Sequence, residues 1–182
     1  AKIKSGSLIT ADYALEQGKD IYVNQELPVA AGDIDYIFLT HAHIDHSGLI
    51  PLMVKRGFKR QVFATKATCE LCNIMLRDSA HIQEFEAEWK SRKAKRAGKE
   101  EYEPIYTMAD AVAACELMVP VNYDETVSVC DEFQIKFVDA GHLLGSSSIE
   151  VKVTEGDVSK TIIFSGDIGN INKPIIKDPK TM

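Results

Sequence analysis

Three of the five histidines in this chain of 182 residues lie within positions 41–46, together with a carboxylate. They are His41, His43 and His46, and the carboxylate belongs to Asp45. Imidazole nitrogen and carboxylate oxygen are the ligands that zinc and similar divalent ions accept when thiolate is not used. Burying such groups without partners would be costly, so packing alone does not explain the cluster. The run therefore predicts a metal site.

The spacing within this run allows its ligands to divide between two ions. Because residues two apart in an extended chain point to the same side, His41 and His43 can reach one ion. Asp45 and His46 come where the chain must turn toward a predicted helix, and they can point toward a second ion. The spacing permits this division but does not prove it.

The segments around the run place it at the carboxyl end of a strand. Residues 35–39 form a short apolar run rich in strand-forming residues. Ser47 can cap a following helix, Pro51 is tolerated in its first turn, and Gly57 can end it. Open α/β sheets place their sites at such strand-to-helix connections, and the sequence therefore predicts an α/β fold.

Two more ligands follow predicted strands further along the chain. Residues 133–138 alternate between apolar and polar character and lead into His142, and the apolar residues 161–164 lead into Asp167. A glycine directly precedes each of these ligands, and it allows the backbone to come close to an ion or a substrate. Three strand ends that carry such groups predict one shared site.

Taken in this order, the three groups resemble the motifs of the metallo-β-lactamase superfamily. The finer resemblance is to its β-CASP branch, the metal-dependent nucleases that process RNA, and it covers nearly the whole chain. Besides the histidine-rich run, the segments that carry it are residues 76–84, 139–146 and 164–170. The resemblance implies an αββα sandwich, which we expect to be incomplete in this chain.

The resemblance also implies a site with two zinc ions and a hydroxide between them that attacks phosphorus. The ligands it implies are His41, His43 and His142 for the first ion, Asp45 and His46 for the second, and Asp167 as the bridge. Asp45 would also take part in catalysis. An earlier aspartate orients the metal ligands in this family, and Asp12 is the matching residue here. The alternative for Asp12 is a helix-capping role.

The expected domain organisation is one metallo-β-lactamase-like domain over residues 1–182, without the inserted β-CASP domain and the C-terminal segment of the family. Those parts supply an acidic motif, a histidine that protonates the leaving group and a last histidine ligand. We therefore expect the second metal site to be under-ligated in this chain, which we interpret as a truncated one. His81, the remaining histidine, is predicted to be a structural residue of a helix.

Composition fits a single ordinary domain. Hydrophobic residues make up 45% of the chain and charged residues 26%, and no apolar segment is long enough to span a membrane. The net charge of −6 weakens a prediction of nucleic-acid binding without removing it. The four cysteines do not suggest a disulfide framework, so we expect a cytoplasmic protein. Cys69 and Cys72 match a C-x-x-C pattern within a helical run, and we interpret them as structural.

The remaining pattern predicts alternating helices and strands. Strands are predicted at residues 61–64, 133–138, 147–154 and 160–165, and helices at residues 66–97 and 107–118. The basic residues 90–96 indicate either a solvated helix end or a phosphate-contacting patch. The loop at residues 143–148 indicates either a phosphate contact or a plain entry into a strand.

From these features we predict a metal-dependent hydrolase that cleaves RNA phosphodiester bonds, with RNA as its partner. One alternative is a hydrolase of thioester, lactone or lactam substrates. Another is a catalytically silent module that binds RNA or a protein partner. A homodimer is also considered, and no association with a membrane is expected.

Overall fold

Two β-sheets form the frame of the fold in the computed structural model, which describes residues 31–98 and 100–180. The first sheet contains three parallel strands in the order β1 (Tyr36–Phe38), β2 (Gln61–Thr65) and β3 (Met118–Val121). The second contains four antiparallel strands in chain order, β4 (Thr126–Ser128), β5 (Phe133–Asp139), β6 (Ser147–Glu155) and β7 (Val158–Phe164). The predicted α/β class is confirmed.

Four α-helices follow or connect the strands of the first sheet. They are α1 (Ile44–Ser47), α2 (Ile50–Lys55), α3 (Lys66–Arg96) and α4 (Met108–Glu116), and a 3-10 turn at Ala31–Asp33 precedes β1. Helix α3 begins where the Thr65 side chain accepts the backbone N–H of Thr68, and α4 begins with a capping box formed by Thr107 and Asp110. Within the described residues, no helix combines the length and the apolar composition that crossing a membrane requires.

Two details of the predicted elements are wrong. The single helix expected after Ser47 is replaced by α1 and α2, and Ser47 ends the first of them rather than capping the second. Its buried hydroxyl donates to the carbonyls of Ala42 and His43, at 2.9 and 3.0 Å. The helix expected over residues 107–118 stops at Glu116, because Met118 begins strand β3 and pairs in parallel with Val62 of β2.

The hydrophobic core has two parts, one on each face of the first sheet. Strand β2 shows the division, because Val62 and Ala64 face the helices while Phe63 faces the second sheet. The helix-side cluster includes residues of α2, α3 and α4. The cluster between the sheets consists of Phe63, Val121, Ile135, Phe137, Ile149 and Val151. Helices, first sheet and second sheet therefore form successive layers.

Candidate metal centre

The first ligand run is held at the junction of the two sheets. After β1, the Leu39 backbone N–H donates to the Phe63 carbonyl at 2.9 Å, which continues the parallel pairing. The Thr40 carbonyl then accepts two hydrogen bonds from Ser147, the first residue of β6, one from its N–H at 2.8 Å and one from its hydroxyl at 2.9 Å. His41, the next residue, is therefore fixed relative to both sheets.

A tight turn separates the remaining ligands of this run. The backbone N–H groups of His46 and Ser47 both donate to the carbonyl of His43, at 3.0 and 2.9 Å, and so begin helix α1 immediately after His43. Asp45 and His46 consequently lie on the first turn of α1, whereas His41 and His43 precede it. The expected change of direction within the run is present.

Strands β5 and β7 bring His142 and Asp167 to the same place. Both strands run antiparallel to β6, so both end at the edge of the sheet where β6 begins. A glycine is required before Asp167, because Gly166 has a φ of +58° and an added Cβ would lie 2.8 Å from the Cβ of Thr40. The backbone after β7 therefore passes directly over the His41 run.

Four side chains converge on one point. Their ligand atoms, from His41, His43, His142 and Asp167, all lie within 4.8 Å of one another. His43 Nδ1 lies 3.1 Å from Nε2 of His41 and 3.3 Å from Nε2 of His142, and Asp167 Oδ2 lies 3.6 Å from each of those two Nε2 atoms. In a tetrahedral zinc site with bonds of about 2.0–2.1 Å, neighbouring ligand atoms stand about 3.3 Å apart. Both the spacing and the donor chemistry fit one such ion.

The carboxylate of Asp167 also faces a second group. Its other oxygen, Oδ1, lies 3.7 Å from Nε2 of His46, and that nitrogen lies 3.7 Å from Oδ2 of Asp45. The two oxygens of Asp167 thus point to different sets of side chains. Asp45, His46 and Asp167 offer three ligand atoms for a second cation.

The environment of His41 favours a neutral imidazole that can offer a lone pair. Burial above all, and then the neighbouring His46, lower the pKa of His41 from its ordinary value of 6.5 to about 4, although Asp167 opposes the shift. Burial also lowers the pKa of His142, again against the effect of Asp167. The Thr40 hydroxyl lies 3.1 Å from Nδ1 of His41, and this contact leaves Nε2 directed into the cluster.

The metal-free protein should lose stability as the pH falls from about 6.5 toward 4. The pKa of His41 is near 6.5 in the unfolded chain but about 4 in the folded protein. Between these two pH values the unfolded state therefore binds more protons than the folded state. At about 1.4 kcal/mol per pKa unit, the free energy of unfolding should decrease by roughly 3 kcal/mol. Urea unfolding in the presence of a chelator at several pH values measures it.

The matched variants for this measurement are His41→Gln and His81→Ala. His41→Gln should flatten the dependence over this range, whereas His81→Ala should retain it, because His81 is exposed on α3. An unfolding midpoint of the unaltered chain that stays constant or rises on acidification would contradict the assignment of a buried neutral His41.

Four of the six predicted ligands, His41, His43, His142 and Asp167, form the convergent group. The other two, Asp45 and His46, lie beside it, where His46 Nε2 is 3.7 Å from Asp167 Oδ1 and from Asp45 Oδ2. Asp12 lies outside the described residues. His81 is not part of the four-residue group that converges at this point. Burial raises the pKa of the Cys69 thiol to about 11 and that of Cys72 to about 12, which agrees with the structural interpretation of the C-x-x-C pattern.

Two alternatives left open by the sequence can now be compared with the structure. The hydroxyls of Ser146, Ser147 and Ser148 bond to groups of the protein and are buried, which favours a plain entry into β6 over a phosphate contact.

Several basic side chains at the end of α3 interact with other residues of the same helix. Lys90 pairs with Glu86, Arg92 with Glu88, and Lys93 lies 3.5 Å from the ring centre of Trp89. This arrangement favours a solvated helix end.

The groups that hold the predicted ligands in place could not be identified from the sequence. Thr40 and Ser147 connect the two sheets beneath His41, and Ser146 accepts hydrogen bonds from the backbone N–H groups of His142 and Leu143, at 3.0 and 3.1 Å. These residues border the ligand motifs, but their partners are distant in the sequence or depend on a loop conformation that no local pattern specifies.

Comparison with known proteins identifies the family of this chain. The family model for the metallo-beta-lactamase superfamily matches residues 8–181. Ribonuclease TTHA0252 of Thermus thermophilus is 29% identical over 178 residues, which cover 97% of this chain and 36% of that protein. Probable RNase MJ4 of Methanocaldococcus jannaschii is 30% identical over 89% of this chain and 33% of its own length. The crystal structure of MEM-A1, a subclass B3 metallo-beta-lactamase from a soil metagenome library, aligns with a TM-score of 0.43 and 16% identity, over 84% of this chain and 46% of that one.

The chain belongs to the metallo-β-lactamase superfamily, as the sequence motifs predicted. This is a superfamily of metallo-hydrolases, and the convergent histidine and aspartate side chains are consistent with the use of a metal. The names of the relatives agree with the predicted RNA-processing branch. The chain spans about a third of the length of these two curated relatives.

Proposed function

We propose that this chain is the metal-binding portion of a ribonuclease that hydrolyses RNA phosphodiester bonds with two zinc ions. The observation that carries the proposal is the convergence of three imidazole nitrogens and one carboxylate oxygen within 4.8 Å at the junction of the sheets. The ribonuclease names of relatives that align over most of the chain support RNA as the substrate.

Each ligand has a distinct role in this proposal. His41, His43 and His142 would hold the first ion, and Asp45 and His46 would help hold the second. Asp167 contributes one carboxylate oxygen to each group, because its two oxygens face the two sets separately. When bound, a pair of such ions would supply Lewis acidity for the attack of water on phosphorus and would neutralise the charge that develops on the phosphate oxygens.

Other side chains prepare the site for this chemistry. Thr40 and burial keep His41 neutral and oriented. The side chain of Asp45 is 33% exposed at the edge of the site, where its carboxylate can accept a proton from water. Asp12, which lies outside the described residues, is proposed to orient the ligand shell.

The proposal predicts cleavage of single-stranded RNA by the zinc-loaded chain. End-labelled RNA should be cut, a chelator should stop the reaction, and zinc should restore it. His142→Ala should abolish cleavage, whereas the matched His81→Ala variant should cleave like the unaltered chain. A panel of thioester, lactone and lactam substrates should remain intact. Hydrolysis of that panel with intact RNA would contradict the proposed substrate, and zinc binding without any hydrolysis would indicate a silent binding module.

A further inference from the structure

Two buried threonine hydroxyls converge on one backbone carbonyl close to the metal site. Thr65, at the end of β2, donates its hydroxyl to the carbonyl of Gly145 at 2.7 Å, and Thr68, in the first turn of α3, donates to the same oxygen at 2.9 Å. Their exposed fractions are 3% and 0%. A carbonyl oxygen has two lone pairs, so both hydroxyl groups can be satisfied there.

Gly145 fits tightly against this pair. Its φ is +84°, and an added Cβ would lie 2.6 Å from the Thr68 backbone nitrogen and 2.7 Å from the Thr68 hydroxyl oxygen. The start of α3 and the loop that contains Gly145 therefore leave no space for a side chain between them. This close approach fixes the loop relative to the first sheet.

The same loop carries the ligand His142. Ser146, the neighbour of Gly145, accepts the backbone N–H groups of His142 and Leu143 with its side-chain oxygen. The carbonyl of Ser146 accepts the hydroxyl of Tyr123 at 2.9 Å and the N–H of Ala140 at 3.2 Å. Fixing Gly145 thus fixes Ser146, and Ser146 fixes the backbone of His142.

His142 depends on its backbone more than His41 does. His41 has an orienting contact between its Nδ1 and the Thr40 hydroxyl. In the described part of the chain, His142 makes hydrogen bonds only through its backbone and through Nε2, which faces His43. The direction of the His142 ring is consequently set by the loop that carries it.

We propose that Thr65 and Thr68 are positioning residues for the metal ligand His142, and that they act through the Gly145 carbonyl and Ser146. They hold the loop so that Nε2 of His142 stands 3.3 Å from Nδ1 of His43. Preorganisation of this kind lowers the cost of assembling the ligand shell. The inference rests on the proposed function only in taking His142 as a ligand.

Thr68→Val tests the proposal, because valine has nearly the shape of threonine without the hydroxyl. Groups that orient metal ligands typically contribute about 10–100-fold to affinity, so zinc affinity measured by chelator competition should fall by about that factor. The absorption spectrum of the cobalt-loaded chain should also change, since it reports the geometry of the ligands. Thr68→Ser keeps the hydroxyl and should restore both properties.

Matched variants separate positioning from stability. Thr161→Val lies on the exposed strand β7 and should leave zinc affinity and the cobalt spectrum unchanged. If Thr68→Val does not fold, Ser146→Ala removes the next group in the series and should lower zinc affinity in the same direction. A folded Thr68→Val variant with unaltered affinity and spectrum overturns the proposal. Zinc binding by the unaltered chain without RNA cleavage would overturn the proposed function alone.

Discussion

The zinc affinity of the His43→Ala variant should be lower by more than about 100-fold, since even groups that only hydrogen-bond to metal ligands contribute 10–100-fold to metal affinity. His43 Nδ1 is the common neighbour of the other two imidazoles, at 3.1 Å from His41 and 3.3 Å from His142. Its removal leaves two imidazoles and a carboxylate for the first ion. Hydrolytic activity should disappear with the metal. Elemental analysis after dialysis against metal-free buffer measures the loss.

The position of His43 makes this variant easy to interpret. His43 is exposed, whereas His41 is fully buried, so its truncation removes little core packing and the variant should fold. His81→Ala is the matched control, because it removes another exposed histidine and should leave the metal content unchanged. Retention of the full metal content by folded His43→Ala would show that His43 is not a ligand.

The Asp167→Asn variant should bind at least one ion fewer than the unaltered chain. Its proposed hydrolytic activity should fall by about 100-fold or more, because even groups that only hydrogen-bond to metal ligands contribute 10–100-fold. Asparagine keeps the size of the side chain but removes its charge and one of its two acceptor oxygens. Both oxygens matter here, because Oδ2 faces His41 and His142 while Oδ1 faces His46. The number of ions per chain, titrated with zinc, checks the expectation.

Asp157→Asn provides the control for loss of a carboxylate. Asp157 lies in the exposed turn between β6 and β7, and its replacement changes the net charge by the same amount without touching the site. It should bind as many ions as the unaltered chain. Equal metal content in folded Asp167→Asn and Asp157→Asn would contradict a bridging role for Asp167. It would mean that each group of ligands binds its ion without Asp167.

Much of the candidate site could be predicted from local sequence, because its proposed ligands lie shortly after the ends of strands. A strand that ends shortly before a histidine or an aspartate places that side chain at the end of a sheet. Three predicted strands end in this way, and they predicted one shared site. Helix α3 was also predictable to within one residue at its C-terminal end. Its apolar side chains recur at helical intervals.

Other features depended on contacts that local sequence does not encode. Strand β3 was missed, and Pro120 lies within it. Proline argues against a strand unless the strand is at an edge, and β3 is at the edge of its sheet among the described strands. The bonds from Thr65 and Thr68 to Gly145 join residues that are 80 and 77 positions apart. Nothing in either segment alone specifies that pairing, which arises only when β2 and the end of β5 pack together.

The proposed ligands come from both sheets. His41, His43 and His46 follow β1, whereas His142 and Asp167 follow β5 and β7. A cation held among them would therefore act as a crosslink between the two halves of the molecule, and its binding energy would add to the energy that keeps those halves together. Chelation should accordingly weaken the contact between the two sheets as well as stop the proposed hydrolysis. Proteases should then cut metal-stripped protein faster than the loaded form.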